Sequence, residues 1–578
     1  MMTPAELFRE LLKPDGRPDR LLKQYEALHI IFANPLDDYL MANRIKGGPP
    51  SVDRWGTQIL FPADAPGAMP HITPENKVCP DITRWRETCR APDLASHCAE
   101  GWDIVRAKAE HIREKGELAT HLMGTGIFEQ CHFLMGFEDT LTNLYEHPAE
   151  MHELIDYITD YRLQYAHMVI EGMHPDVILS HDDWGTKDAL FMKPEMWREF
   201  FKEPYRRLYG YMRSQGVIVV HHADSYLVPI VEDMVEIGIN CWQGVLPEND
   251  IPALQRLLRG RMILMGGVGA AIDRADAGED EIRAYVDDVL FRNAPGGHYI
   301  PCITYGAPGT VYPQVDPVID SEIDRYNSIC HLAAAVRPAP ARRQSAAYGG
   351  EAQVSPAENS QAEQGELLPL LSTALRRGQK KRVLTLTEQA LQAGIAAADI
   401  LRDGLVAGMM QLGDDFSAGR VFVPEMLMAA RCMTAATELL KPYLTPGSSS
   451  VTGRVCLGTV KGDMHDIGKN LVKIMMEGCG LQVIDLGCDV PAETFIETAV
   501  REKCDIISCS ALLTTTMTEM RRVVQLCCEA GIRDDVIIMI GGAPISQAYC
   551  DEIGADIYTA DAAAAAQAAV SALAERRR

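Results

Sequence analysis

The stretch from residue 337 to 365, RPAPARRQSAAYGGEAQVSPAENSQAEQG, constrains the rest of the chain more than any motif does. Tyr348 and Val354 are its only large apolar side chains. A segment of Ala, Pro, Gly, Ser, Gln and charge cannot bury enough surface to offset the entropy lost on ordering, so it is expected to be a flexible tether. As a coil it would span roughly 30 Å root-mean-square, enough for two folded units to dock and separate. The 578-residue chain therefore divides into residues 1–336, the linker 337–365, and residues 366–578.

Both units have a globular composition, with 47% hydrophobic and 23% charged residues overall. No run approaches the ~18–20 apolar residues of a bilayer span. The start, Met1-Met2-Thr3-Pro4-Ala5-Glu6, lacks the basic-then-apolar order of a signal peptide. A net charge of -25 repels nucleic acid and anionic lipid, so neither nucleic acid nor membrane is an expected partner. Sixteen cysteines, with Cys527 and Cys528 adjacent, are diluted over the whole length. They read as reduced thiols of a cytoplasmic protein, which leaves single cysteines available as metal ligands.

In the first unit, short apolar runs at 120–124, 177–180, 217–221, 239–242, 262–266 and 299–303 alternate with amphipathic stretches such as 148–171, 194–215 and 279–291. Strand–helix alternation at this length predicts an α/β fold, a (β/α)8 TIM barrel, with an open doubly wound sheet as the alternative. After the linker, 366–447 is helical in pattern and suits a small four-helix bundle. Residues 448–578 return to strand–helix rhythm, with buried-strand runs at 455–460, 483–486, 506–509 and 536–540. That rhythm predicts a flavodoxin-like, Rossmann-type open sheet.

The strand at 455–460 runs into Lys461-Gly462-Asp463-Met464-His465-Asp466-Ile467-Gly468. Ligands bind at the carboxyl ends of strands in such sheets, which is where His465 falls. Asp463 can accept a hydrogen bond from the far imidazole nitrogen and fix the tautomer, and Gly468 leaves room for a bulky group. On spacing alone, a loop histidine beside a capping aspartate is the plain alternative.

The wider context is more specific. Asp-x-His-x-x-Gly is followed by Ser508-Cys509-Ser510-Ala511-Leu512-Leu513-Thr514-Thr515-Thr516-Met517, by Gly541-Gly542-Ala543-Pro544, and by Gly554-Ala555-Asp556-Ile557-Tyr558. With Leu412-Gly413-Asp414-Asp415-Phe416 and Gly419-Arg420-Val421-Phe422-Val423-Pro424-Glu425 upstream, this part resembles the corrinoid proteins of methyltransferase systems and the cobalamin module of methionine synthase. The resemblance implies cobalamin as cofactor, with His465 as the lower cobalt ligand, Asp463 orienting it, and Thr516 as third member where methionine synthase relatives carry Ser. It places the nucleotide tail near Ser510, Thr514 and Gly541-Gly542, with Gly468, Leu512 and Tyr558 completing the set. The helical module looks like the cap over the upper corrin face. Its Met409, Met410, Met426, Met428 and Met433 read either as bundle packing or as apolar cover for a reactive cobalt.

The most polar strand ends of the first unit are Ser180-His181-Asp182-Asp183-Trp184-Gly185, Val220-His221-His222-Ala223-Asp224-Ser225 and 298–306. Barrel active sites assemble at these ends. Asp182-Asp183-Trp184-Gly185, Pro194-Glu195, Glu236-Ile237-Gly238-Ile239 and Met265-Gly266-Gly267 make the unit resemble the uroporphyrinogen decarboxylase superfamily. That superfamily holds decarboxylases and cobalamin-dependent methyltransferases, and a corrinoid carrier on the same chain points to methyl transfer.

Its zinc-dependent thiol methyltransferases carry His-x-Cys and a distant Cys. The matching positions here are His222-Ala223-Asp224 and Cys302. Either His222, Asp224 and Cys302 bind Zn2+, or the site is metal-free and His222 with Asp224 acts as acid and base. An oxygen-rich site is the harder Lewis acid and suits an ether oxygen. The resemblance therefore leans to O-demethylases that take methyl from methoxylated aromatics and pass it to cobalt(I). Asp182, Asp183, His221 and Tyr305 are further pocket candidates, and Glu26 a weaker one.

A second methyltransferase, tetrahydrofolate-dependent, and a reductive activator of cobalt(II) are the implied partners; a homo-oligomer is compatible with this plan. The competing readings are a methylcobalamin:thiol methyltransferase of the coenzyme M type, and a cobalamin store or sensor with an inactive barrel.

Overall fold

The computed structural model describes residues 2–40, 45–61, 68–98, 100–274, 276–303, 311–334, 367–443, 453–463, 467–511, 516–542, 545–559 and 562–576. The linker 337–365, and Tyr305, His465, Leu512 and Thr514, lie outside the described residues.

The first unit is built on seven parallel strands: β1 (Leu28–Ile31), β2 (Leu118–Met123), β3 (Val177–His181), β4 (Ile218–His222), β5 (Cys241–Val245), β6 (Ile263–Val268) and β7 (Tyr299–Ile303). They pair in strict sequence order. β5, β6 and β7 are buried along their whole length, the mark of parallel strands covered on both faces. One interior cluster draws a residue from every strand, among them Leu28, Leu118, Leu179, Val220, Cys241, Met265 and Cys302. An open sheet has no such shared interior, so the doubly wound alternative is excluded and the TIM-barrel plan is observed.

Helix α1 (Pro4–Leu11) plugs the amino-terminal end through Leu7, Phe8 and Leu11. It starts on a capping box: Thr3 accepts from the Glu6 amide, Glu6 accepts from the Thr3 amide, and Pro4 takes the first turn. At the seam between β7 and β1, the Ile303 amide donates to Gln24 Oε1 at 3.3 Å and His298 Nδ1 bonds the Leu11 carbonyl at 2.8 Å. Side chains thus bridge the side of the barrel where no eighth ladder strand is described.

After β2 come α2 (Ile127–Met135) and α3 (Phe137–Glu146). After β3, Lys193 precedes the helical stretch that ends in α4 (Glu203–Ser214). These connections leave the carboxyl ends of their strands and rim the barrel mouth.

The second unit opens with α5 (Leu367–Arg376), α6 (Lys380–Gln392), α7 (Ala407–Ser417) and α8 (Val423–Leu440). Met409, Met426 and Met433 are buried in a core shared with the sheet that follows, so bundle packing accounts for these three. Met410 is exposed. The sheet comprises β8 (Arg454–Thr459), β9 (Gln482–Asp485), β10 (Ile506–Ser510), β11 (Ile537–Gly541) and β12 (Ile557–Tyr558), all parallel, in the order β9-β8-β10-β11-β12. That is the flavodoxin-like order, with its switch point beside β8. Among the described residues no helix is long and apolar enough to cross a membrane.

The two units touch. Val423 and Leu427 of α8 belong to the barrel's outer core. Glu425 accepts from Tyr145 at 2.9 Å and pairs with Lys193. The cap therefore sits on the connections that rim the mouth.

Candidate functional site

In the second unit, Asp463 follows β8 and is fully buried. Its Oδ2 accepts from the buried Thr516 hydroxyl at 2.9 Å. The Asp463 carbonyl accepts from the Asp489 amide at 2.9 Å, and Asp489 Oδ1 accepts from the Gly462 amide at 2.8 Å. Gly462 and Asp463 are thus anchored to the segments at Asp489 and Thr516. Ser510 sits at the end of β10, its carbonyl bonded by the Val460 amide at 3.0 Å. Gly542, at φ +136°, passes so close to the next loop that a Cβ would lie 1.7 Å from the Ala511 carbonyl oxygen. Only glycine fits there. Gly541 and Gly468 are less crowded: a Cβ on Gly541 would meet only the Thr559 carbonyl oxygen at 3.7 Å, and one on Gly468 nothing within 4 Å. Tyr558 is half-buried on β12.

In the barrel, alternation along each strand separates adjacent polar residues. His181 and His222 follow the inward positions Leu179 and Val220. Their rings stack at 4.8 Å between centroids and 14°. Glu129 of α2 holds His181 Nδ1 at 2.9 Å, and Gln243 of β5 holds His222 Nδ1. Asp183 Oδ1 accepts from the Asp224 amide at 3.1 Å, while its Oδ2 stands 3.9 Å from His181 Nε2. Donor atoms of His181, Asp183 and His222 lie within 4.8 Å of one another.

Asp182 and His221 point the other way, into the layer between strands and helices. Asp182 is fully buried and accepts from the Phe128 and Glu129 amides, both at 2.9 Å, and from Tyr205. It anchors the amino terminus of α2, where the helix dipole favours an anion. His221 stacks on Trp184 at 4.2 Å and bonds Tyr209 at 2.9 Å. Cys302 faces the closed interior beside Cys241, with Gln243 between it and His222.

Burial opposes charge on His181, but Glu129 and then Asp183 outweigh it and lift its pKa to about 10. Burial and the His181 charge lower His222. Burial, then Asp183, pushes the Asp224 carboxyl well up. Burial and Glu129 raise Asp182 to about 7, and burial, joined by the neighbouring His222 and His181, drives His221 well down. The Cys302 thiol is pushed well up by burial.

The site thus brings together His222 and Asp183, with Asp224 behind Asp183; Asp182 and His221 turn away into the helix layer, and Cys302 faces the same interior on the far side of Gln243. His181 and Glu129 were not singled out from the sequence. Shared parity with His222 was the available signal for His181. Glu129 comes from another strand's connection and carries only a local helix-start signal, its carboxylate accepting from the Gly126 amide at 3.1 Å.

Models of the B12 binding domain match residues 453–570 and 369–441, and the uroporphyrinogen decarboxylase (URO-D) model matches residues 56–315. The chain is 44% identical over 201 residues to dimethylamine corrinoid protein 1 of Methanosarcina acetivorans, covering 35% of this chain and 94% of that protein. The chain belongs to the corrinoid proteins. It joins that carrier to a uroporphyrinogen decarboxylase-type barrel, the architecture of a corrinoid-dependent methyltransferase.

The corrinoid protein is also 40% identical over 199 residues to trimethylamine corrinoid protein 1 of Methanosarcina acetivorans, covering 34% of this chain and 92% of that protein. Among solved structures it is similar to the methanol:cobalamin methyltransferase complex MtaBC from Methanosarcina barkeri, at 31% identity over 36% of this chain and 80% of that chain, TM-score 0.33.

Its cofactor is cobalamin. The Asp463–Thr516 bond and the backbone cradle at Gly542 fit that cofactor. The zinc set His222, Asp224 and Cys302 fits poorly: Cys302 is sealed in the barrel interior, away from the stacked imidazoles.

Proposed function

We propose that this corrinoid protein takes a methyl group from a small methylated substrate in its barrel mouth and passes it to the cobalamin on its own carrier. The substrate class favoured is a methoxylated aromatic, which makes the reaction an O-demethylation. The observation that carries the reading is the seating of the cap on the barrel rim, beside the connections that leave β2 and β3. Such seating keeps carrier and substrate site together.

Bound cobalamin supplies a cobalt(I) nucleophile for the methyl carbon. His465 is the residue that would hold the cobalt, and the Asp463–Thr516 pair would set its tautomer. Ser510, Gly541, Gly542 and Tyr558 border the slot for the tail. Among the described residues, the barrel's one metal-capable cluster holds imidazoles and a carboxylate and no thiol, and such donors suit an oxygen leaving group. Asp224, bonded through its amide to Asp183, stands with His222 as the acid–base pair proposed for the site. Residues 337–365 tether the carrier so that it can turn to a second, tetrahydrofolate-dependent methyltransferase and to a reductive activator. A cytoplasmic setting fits this traffic.

The test is demethylation by the full chain, reconstituted with cobalamin and reduced. Methoxylated aromatics, methanol, methylamines, methyl thioethers and thiols are offered in parallel. Methyl uptake from methoxylated aromatics alone supports the reading. Uptake from methylamines or methanol replaces the substrate class, and thiol-dependent loss of methyl reverses the direction.

A further inference from the structure

The zinc set suggested by the barrel's relatives and the geometry of this barrel disagree, and the disagreement is informative. Cys302 lies among apolar side chains of the closed interior, with Cys241 and Met265 in the same cluster. It is absent from the one group of metal-capable side chains among the described residues, His181, Asp183 and His222.

Three features of that group are those of a metal centre. The two imidazoles are stacked and nearly parallel, and each offers a ring nitrogen within 4.8 Å of the other's and of an Asp183 oxygen. Each Nδ1 is already bonded to an acceptor oxygen, Glu129 for His181 and Gln243 for His222. With a cation bound, that arrangement would keep the proton on Nδ1 and give the Nε2 lone pair to the ion, as in metal-ligating histidines with carboxylate or carbonyl partners. Asp183, in turn, has Oδ1 fixed by the Asp224 amide and the Ser225 hydroxyl, at 3.1 and 3.4 Å, which aims Oδ2 at His181 Nε2. The 3.9 Å between them is too long for a hydrogen bond. Two metal–ligand bonds of about 2.0–2.2 Å meeting at an ion span roughly 3.4 Å at a tetrahedral angle, so a small closure of the side chains completes the site.

We infer that His181, Asp183 and His222 bind one divalent cation of the zinc class, with Glu129 and Gln243 as positioning residues, and that Cys302 is not a ligand. Two nitrogens and one oxygen leave the remaining coordination position open to the mouth for an oxygen donor of the substrate. The inference rests on the barrel being the substrate site, but its test does not need the substrate.

The experiment measures zinc per chain by elemental analysis in the full-length protein, after chelator treatment and re-equilibration with zinc alone. Zinc affinity is read by competition with a chelating dye, and corrinoid content serves as a check on folding of the carrier. One zinc per chain is expected in the parent and in C302A, and near none in H181A, D183A and H222A. E129Q keeps all three ligands and should bind zinc tenfold to hundredfold more weakly, a graded loss that unfolding does not mimic. Zinc retained in H181A and D183A but lost in C302A overturns the assignment in favour of the Cys302 set. Substoichiometric zinc in the parent overturns it outright. A zinc pattern as expected, with no demethylation of methoxylated aromatics, sinks the substrate reading and leaves the metal centre standing.

Discussion

Arg431 of the cap helix α8 reaches across to Asp139 of the barrel helix α3 at 2.8 Å, while Lys77 holds the other oxygen of the same carboxylate at 2.6 Å. The second arm of Arg431 bonds Glu146 at 3.0 Å. Six residues earlier on the same helix, Glu425 is gripped by Tyr145 and Lys193. The seam is thus a charge-paired contact flanking an apolar one made by Val423 and Leu427.

Such pairs are partly exposed, and each is worth about 0.2–1 kcal/mol, so docking should respond to salt and to single charge changes. R431E should open the seam, seen as greater amide exchange in α3 and a larger radius by small-angle scattering. D139R combined with R431E should restore part of the contact. An R431E chain as compact as the parent, at low salt, would show that the apolar contact alone holds the cap.

The Thr516–Asp463 bond is buried, so T516V leaves a carboxylate oxygen short of a donor, at about 1–3 kcal/mol. Cobalamin affinity should fall about tenfold to hundredfold, T516S should restore it, and H465A should change the visible spectrum of the reconstituted cobalt. Equal affinity in T516V and parent would place Thr516 outside the cofactor network.

Gly542 and Gly541 are adjacent and should behave differently. G542A forces a Cβ against the Ala511 carbonyl at a backbone angle only glycine favours, costing on the order of 1–3 kcal/mol from backbone strain alone. G541A meets only the Thr559 carbonyl oxygen at 3.7 Å. Thermal unfolding and cobalamin uptake of the two variants should separate them clearly, with G542A losing both.

His132 is pushed down to about 4, chiefly by burial and against the pull of Glu129. A histidine whose folded value lies below its unfolded value of ~6.5 takes up a proton on unfolding in acid. Its contribution is therefore present above pH ~6.5 and is lost as pH falls toward 4, by an amount on the order of 1–3 kcal/mol. H132N should flatten the acid limb of stability against pH, measured by denaturant midpoints between pH 7 and 4. An unchanged limb would assign acid sensitivity to other groups.

Much of the plan was legible in the chain because it is written locally. Buried-strand runs and helical stretches marked the barrel and the open sheet, and the Asp463, Gly542 and Thr516 positions carry a cofactor pattern whose spacing does not depend on distant contacts. The barrel site was less legible. Its motif residues His221-His222 and Asp182-Asp183 are adjacent, and a strand sends neighbours to opposite faces. His222 and Asp183 reach the mouth, while His221 and Asp182 serve the helix layer.

The sequence by itself determined the order of modules, the fold of each, and the corrinoid motif, since periodicity and short motifs are properties of contiguous residues. Only the tertiary structure decided which polar side chains meet. His181 and His222 stack because parallel pairing sets His181 opposite His222 in register. Glu129 joins them from the connection after β2 because Asp182 clamps the start of α2. Cys302 shares that interior but is kept apart by Gln243, which stands between it and His222, a placement set by how all the strands close together.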